Sequence, residues 1–200
     1  MGRPSVYEPN VARSAIDLWW LPLGAGANFV RLNGRIYEAI KARRERRPPQ
    51  DLYHTALEVF VPDGRYIIEN SWPIPDADGA RRGVAVEGPV GSRYFGQARA
   101  LRYEIRRWRD GVIADARWAV ESPQRVSTDL ASAHRVLELV DAVPVLVWGR
   151  DEMNAGEMWN SNSVVAWLLA RSGVPTHGIR PPADGRAPGW SAGLAVAALD

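Results

Sequence analysis

The chain contains no cysteine, and this absence excludes several kinds of chemistry. Disulfide bonds, zinc–thiolate sites and a cysteine nucleophile all need a thiol, so this sequence can build none of them. Histidine is scarce, with three residues, and lysine occurs only at Lys41. No apolar run near the start is long enough to predict a signal peptide or a membrane span. We therefore expect a cytoplasmic protein without a membrane span.

The rest of the composition is typical of a soluble globular protein. Of the 200 residues, 46% are hydrophobic and 24% are charged, and the formal net charge is +2. A chain of this length can bury a sizeable core without disulfide or metal support. We expect one domain over 1–200, with a Pro- and Gly-rich tail at 174–200 packed on it, and we predict no metal site and no cofactor.

The basic run KARRERR at 41–47 raises the question of a nucleic-acid partner. Five of its seven residues are cations, a density that also occurs in surfaces that bind nucleic acids. The last turn of a solvated helix favours cations as well, and no recognised nucleic-acid-binding motif accompanies the run. We favour the helix end, which leaves a small molecule or a peptide as the expected partner and nucleic acid as the weaker alternative.

The hydrophobic pattern predicts both strands and helices. Strands are predicted at 15–23, 51–61, 66–72, 100–108 and 145–148, helices at 34–47, 129–143 and 161–172, and a loop at 73–89. The Asp-Gly pair of PDGR lies between two apolar runs, which is the clearest hairpin signal in the chain. We therefore predict a hairpin with its turn centred on Asp63 and Gly64.

Three ionisable residues of this hairpin are predicted to share one face. Alternation puts His54 and Glu58 on the same side of the first strand. The predicted turn places Glu58 opposite Glu69, and His54 opposite Pro73. Two facing carboxylates destabilise a sheet unless one is protonated, paired or solvated. In this register His54 lies roughly 13 Å along the strand from Glu69, so contact between them would need a bulge or strong coiling.

The other two histidines have simpler explanations. His134 precedes Glu138 by four residues on a predicted helix, which indicates a solvated pair. His177 lies in the Pro- and Gly-rich tail and is expected in a loop. His54 is therefore the histidine with the strongest claim to a functional role.

The stretch WNSNS at 159–163 directly precedes a strongly apolar helix. Serine and asparagine often cap helices, so the stretch can be a simple helix start. A serine in a first helical turn also lies in positive backbone potential, which stabilises an oxyanion or an ionised nucleophile. With a histidine as base and a carboxylate to orient it, Ser161 becomes a candidate nucleophile. The residues leave both interpretations open.

The order of these elements resembles a known group of enzymes. A histidine that opens a strand, an acid on the next strand (YIIEN) and an N-x-N element at a helix start are similar to the circularly permuted NlpC-type papain-like superfamily, which includes lecithin:retinol acyltransferase-like and PPPDE-type proteins. The resemblance covers 50–172 and is carried by His54, Glu69 and Ser161, the last at the family's cysteine position. It implies an α+β papain-like fold, in which an antiparallel, partly barrel-like sheet packs against helices and the histidine strand precedes the nucleophile helix.

The resemblance implies hydrolysis or transfer of an acyl or amide group. Ser161 would be the nucleophile, His54 the general base and Glu69 the residue that orients it, although Glu58 stays open as the acid partner. The residues expected to bind substrate are Asn160, Asn162, Glu58 and Trp159.

Serine in place of the family's cysteine is the main departure, because a hydroxyl ionises far less readily than a thiol. Three explanations remain open: a working serine hydrolase, an inactive relative that binds a ligand or a protein, and an engineered replacement of cysteine.

Overall fold

The computed structural model describes residues 14–23, 43, 46, 48–73 and 83–199. These residues form an α+β fold in which a six-stranded antiparallel sheet packs against three helices. The strands are β1 (Ala15–Pro22), β2 (Tyr53–Val61), β3 (Gly64–Ser71), β4 (Val84–Pro89), β5 (Arg102–Arg109) and β6 (Gln124–Ser127). The helices are α1 (Leu130–Leu139), α2 (Ser161–Arg171) and α3 (Trp190–Ala197).

The sheet is open, with the strand order β4-β5-β3-β2-β1-β6. Strands β4 and β6 form its two edges and do not pair with each other, so the sheet is not closed, and the expected partly barrel-like character is not seen. The α+β class and the antiparallel sheet are confirmed, whereas the papain-like assignment stays a prediction. Within the described residues, none of the helices has the length and apolarity needed to span a bilayer.

Because side chains alternate along each strand, the sheet has two different faces. We call the side that carries Leu18, Leu57 and Ile68 the helix face, because these residues join the large core formed with α1, α2 and α3. We call the opposite side the loop face. It carries a smaller apolar cluster of Leu21, Ala56, Ile67 and Ile113, against which Ala116 and Ala119 of the 110–121 segment pack.

The β2–β3 hairpin exists as predicted, but its turn lies one residue earlier. Val61 pairs with Gly64, so Pro62 and Asp63 form the two-residue turn. Proline pre-sets the backbone angle of the first central turn position, which favours this turn over one centred on Asp-Gly. The register moves by two residues as a result, and a shift of two keeps every side chain on its predicted face while changing its partner.

Helices α1 and α2 begin where the sequence predicts them. Helix α1 starts after Asp129, whose carboxylate accepts a hydrogen bond from the Ser132 N–H at 2.7 Å. Its α-helical part ends at Leu139, and a short 3-10 turn over Val140–Ala142 completes the predicted segment. Helix α2 ends just before Gly173, which has a φ of +82°, a conformation that glycine adopts without strain.

Three elements were not predicted. Strand β4 lies within the predicted loop at 73–89, and β6 has only four residues; short edge strands carry little periodic signal. Helix α3 lies in the predicted tail, where Trp190 packs on Trp20 with ring centroids 5.7 Å apart. The predicted strand at 145–148 contributes only an isolated bridge between Val90 and Trp148. The predicted helix at 34–47 and most of the basic run lie outside the described residues.

Candidate functional site

The predicted nucleophile turn forms a complete helix cap. Asn160 is the N-cap of α2, and its side-chain oxygen accepts hydrogen bonds from the N–H groups of Asn162 and Ser163. The Ser163 hydroxyl accepts in return from the Asn160 N–H at 3.1 Å, which completes a reciprocal capping box. The Ser163 hydroxyl also donates to the Gly189 carbonyl at 2.7 Å. Two of the four polar side chains in the stretch, those of Asn160 and Ser163, therefore accept hydrogen bonds from backbone N–H groups at the start of the helix.

The side chain of Asn162 ties α2 to its surroundings. Its amide nitrogen donates to the carbonyls of Tyr53 and Pro188, each at 2.9 Å, and its oxygen accepts from the Thr55 hydroxyl at 3.0 Å. Helix α3 covers this turn so closely that a Cβ at Gly193 would collide with the Ser163 carbonyl. Asn160 and Asn162, expected to bind substrate, are thus occupied by structural hydrogen bonds.

Ser161 is the first residue of α2, as predicted, and it is buried, with 5% of its surface exposed. Its hydroxyl has no hydrogen-bond partner among the described residues. Ser161 is therefore the one side chain of the stretch that neither caps α2 nor ties it to a neighbouring element.

His54 lies on the loop face, away from α2. Its neighbour Thr55 faces the helix and contacts Asn162, so alternation directs the imidazole to the opposite side, where its cross-strand partner on β1 is Leu21. Burial lowers the pKa of His54 to about 4, and the nearby Asp115 carboxylate opposes this only in part. The structure thus places the predicted base and the predicted nucleophile on opposite faces of the sheet.

Glu58 and Glu69 share the loop face with His54, as predicted, but they do not face each other. Glu58 lies opposite Ile67, and its carboxylate contacts Arg65 at 2.5 Å and the Trp19 indole N–H at 3.0 Å. The predicted Glu58–Glu69 pairing is therefore wrong. The expectation that an arginine would hold at least one of these carboxylates is confirmed.

Glu69 lies across from Arg106 on β5. Continuing the β2–β3 register puts Glu69 opposite Ala56, two residues from His54, so the two lie on a diagonal of roughly 7–8 Å. The predicted pairing of His54 with Pro73 and the predicted spacing of roughly 13 Å between His54 and Glu69 are both wrong, because the register differs by two residues from the predicted one. Burial raises the pKa of Glu69, and Arg106 opposes this effect.

A different cluster on the helix face has the features of a binding site. A cleft of about 40 Å³ is lined by Asn70, Ser71, Trp72, Tyr103 and Trp148. The Trp148 ring lies 6.4 Å from the Trp72 ring and 5.8 Å from the Tyr103 ring, centroid to centroid. The Tyr103 hydroxyl donates to the Leu146 carbonyl at 2.9 Å, and burial raises the pKa of Tyr103 to about 12, so this phenol is neutral.

Asn70 is the unusual member of this cleft. Both its amide nitrogen and its amide oxygen are buried and have no hydrogen-bond partner in the described part of the chain. Leaving a buried polar group unpaired costs about 1–3 kcal/mol, so such a group in a native protein calls for a partner. The indole N–H of Trp159, another residue expected to bind substrate, is buried and directed at the Tyr103 side chain, whose pKa it lowers against the effect of burial.

The sequence contained a signal for Asn70 that the prediction did not use. In YIIEN, the alternation that puts Glu69 on one face puts Ile68 and Asn70 on the other. A polar residue at a core-facing position is more informative than a polar residue on the solvated side. In the part of the chain that the structure describes, no group of three or more His, Asp and Glu side chains is arranged to hold a metal ion.

The two faces of the sheet carry different chemical groups: neutral hydrogen-bonding side chains on one, and side chains that could transfer protons on the other. On the helix face, neutral amides and aromatic rings can hold a ligand, whereas the candidate residues Glu58, Glu69 and His54 lie on the loop face. Compared with protein-family models, curated proteins and solved structures, the chain shows no match.

Proposed function

We propose that the chain is a binding module whose ligand site is the cleft lined by Asn70, Trp72 and Trp148. The observation that carries the proposal is the Asn70 amide, buried without a partner in an aromatic-lined cleft. Binding sites commonly combine apolar walls with a few polar groups that fix ligand orientation. A ligand that pairs with Asn70 would recover the free energy lost by its desolvation.

The positions of Ser161 and His54 favour binding over acyl transfer. A nucleophile and its base must lie within hydrogen-bond reach, directly or through one water. The sheet lies between the Ser161 hydroxyl and the His54 ring, and the low pKa of His54, about 4, makes its imidazole a weak base. This supports the second of the three explanations for serine, a chain that binds a ligand without hydrolysing it.

A fragment screen tests the proposed cleft. We would record ligand-observed NMR spectra of small neutral fragments with the unaltered chain, with Trp72→Ala and with Trp118→Ala. Trp118 is the matched control, because it is a tryptophan outside the cleft with a similar exposed fraction, 37% compared with 46% for Trp72. We expect fragments that bind the unaltered chain and Trp118→Ala but bind Trp72→Ala at least tenfold more weakly. Equal binding to both variants, or no binding fragment at all, would contradict the proposal.

Covalent labelling tests the rival hydrolase function. A fluorophosphonate probe reacts with an activated serine, so the unaltered chain and Ser161→Ala should show the same background labelling. Labelling that depends on Ser161 would show that this hydroxyl is activated and would overturn the view that the chain only binds.

A further inference from the structure

The hydrogen-bonding capacity of Asn70 restricts the ligand. A side-chain amide offers N–H donors and a carbonyl acceptor in one plane, and here both atoms lack a partner in the described structure. A group that satisfies them together must accept and donate from adjacent atoms. A primary carboxamide does so, because one of its N–H bonds lies on the same side as its C=O. A trans secondary amide presents these groups on opposite sides, and a carboxylate only accepts.

The charge around the cleft favours a neutral ligand. All five lining side chains are uncharged, with Tyr103 held neutral by its raised pKa, about 12. The Glu152 carboxylate accepts from the Val147 N–H at 2.7 Å and contributes to the raised pKa of Tyr103, but it is also paired with Arg93 at 2.8 Å. An anionic ligand would meet no cation among the residues that line the cleft.

The size and walls of the cleft favour a small planar head group. Its volume of about 40 Å³ holds only a few atoms, since one water needs about 10–15 Å³ measured in this way. Aromatic rings pack well on planar groups, and the Trp72 and Trp148 rings provide two such surfaces. The rest of a larger ligand would have to extend beyond Trp72, which is 46% exposed.

We infer that the cleft recognises a primary carboxamide, the group at the end of an Asn or Gln side chain or of an amidated peptide. This inference rests on the proposed function. The head group pairs with the Asn70 amide through two antiparallel N–H···O=C hydrogen bonds. It reaches this buried amide when the exposed Trp72 ring swings away from Trp148.

Three small probes of similar size test the inference: propionamide, propionate and N-methylacetamide. The readouts are the ¹H–¹⁵N signals of the Asn70 side chain and of the Trp72 and Trp148 indoles. We expect propionamide to shift all three saturably, with a Kd at least tenfold below those of the other two probes. Asn70→Leu should weaken propionamide binding at least tenfold, whereas Gln97→Leu, which removes an exposed amide, should leave it unchanged.

The other outcomes distinguish a failure of the carboxamide inference from a failure of the proposed binding cleft. Saturable shifts of the cleft signals with propionate or N-methylacetamide, as strong as with propionamide, would overturn the carboxamide inference and leave the binding cleft standing. If no probe shifts the cleft signals and the fragment screen also fails, both proposals are overturned. If Asn70→Leu does not fold, the Asn70 side-chain signals of the unaltered chain decide, because they must shift with propionamide and stay in place with propionate.

Discussion

On the helix face of the sheet the buried polar side chains are neutral, whereas on the loop face they are charged. Among the described residues, the buried polar side chains of the helix side include Thr55, Ser161, Asn162 and Ser163, and the buried charged ones of the loop face are Asp17, Glu58, Glu104 and Arg106. Amide and hydroxyl hydrogen bonds satisfy most of the first group. Arginines pair with the carboxylates of the second group.

This difference shows how one strand can serve two kinds of chemistry. His54 and Thr55 are adjacent in sequence, yet one joins the charged loop face and the other contacts Asn162 in the first turn of α2. Side chains one residue apart on a strand point to opposite faces. Candidate residues that look like one catalytic set in the sequence are therefore divided between the two faces.

The largest expected effect comes from breaking an ion pair of the loop face. Glu104 is fully buried, and its carboxylate contacts Arg106 at 2.9 Å. Arg106→Met would remove this cation from the buried Glu104 carboxylate, and breaking a buried pair in this way costs about 3–5 kcal/mol. Denaturant unfolding measures this loss. Arg135→Met, which removes a cation paired with the exposed Glu138 at 3.4 Å, should cost at most about 1 kcal/mol.

A double variant tests the cause of that loss. Glu104→Leu combined with Arg106→Met removes both charges, and replacing a buried pair with apolar residues is often neutral or stabilising. We expect the double variant to recover most of the stability that Arg106→Met loses. If Arg106→Met costs no more than Arg135→Met, the loop face does not depend on its ion pairs.

The next effect concerns His54 and acid. Its pKa is lowered from 6.5 to about 4 in the folded chain, so the unfolded chain takes up the proton first as the pH falls. The stability contributed by the neutral ring is complete above pH 6.5 and is lost between pH 6.5 and 4, by about 3 kcal/mol in total. His54→Gln should lose about 3 kcal/mol less than the unaltered chain over this range.

Urea unfolding at pH 7.5, 5 and 4 measures that difference, with His134→Gln as the control for an exposed histidine. Glu69 acts in the opposite direction, because its pKa is raised and its protonation favours the folded state as the pH falls. Comparing the two chains at each pH cancels this contribution. Parallel pH profiles for His54→Gln and the unaltered chain would show that the ring is not buried on the loop face.

A smaller effect is expected on the helix face. Asn162→Ala would leave the Tyr53 carbonyl and the Thr55 hydroxyl without their partner, at a cost of about 2 kcal/mol. Ser161→Ala removes a hydroxyl that has no partner among the described residues, so it should change stability by less than about 0.5 kcal/mol. Thermal unfolding of both variants tests the contrast, and an equal loss would show that Ser161 makes a hydrogen bond that matters.

The sequence predicted those parts of the fold that have a strong local signal. Alternation in β2 and β3 correctly placed His54, Glu58 and Glu69 on one face, and the polar-to-apolar change at Ser163 correctly marked α2. The register failed because the prediction gave Asp-Gly more weight than the preceding Pro62. Partners across a sheet depend on the turn, and a shift of two residues leaves no trace in the alternation pattern.

The candidate site was harder to predict because it depends on which face of the sheet each helix covers. Ser161 and His54 suit catalysis by residue type, but no local pattern shows that α2 packs on the Thr55 side of β2. Asn70 was missed because its residue type alone gave no indication of a function. It is a common residue type, and it becomes unusual only when tertiary packing buries its amide between aromatic rings.

One measurement tests most directly whether His54 lies on the loop face and apart from Ser161. NMR titration of the His54 ring would be carried out on the unaltered chain, Asp115→Asn and Ser161→Ala. The Asp115 carboxylate raises the pKa of His54 against the effect of burial, so Asp115→Asn should lower that pKa below about 4, while Ser161→Ala leaves it unchanged. A pKa that moves with Ser161→Ala and ignores Asp115→Asn would place the imidazole beside α2 and contradict the account.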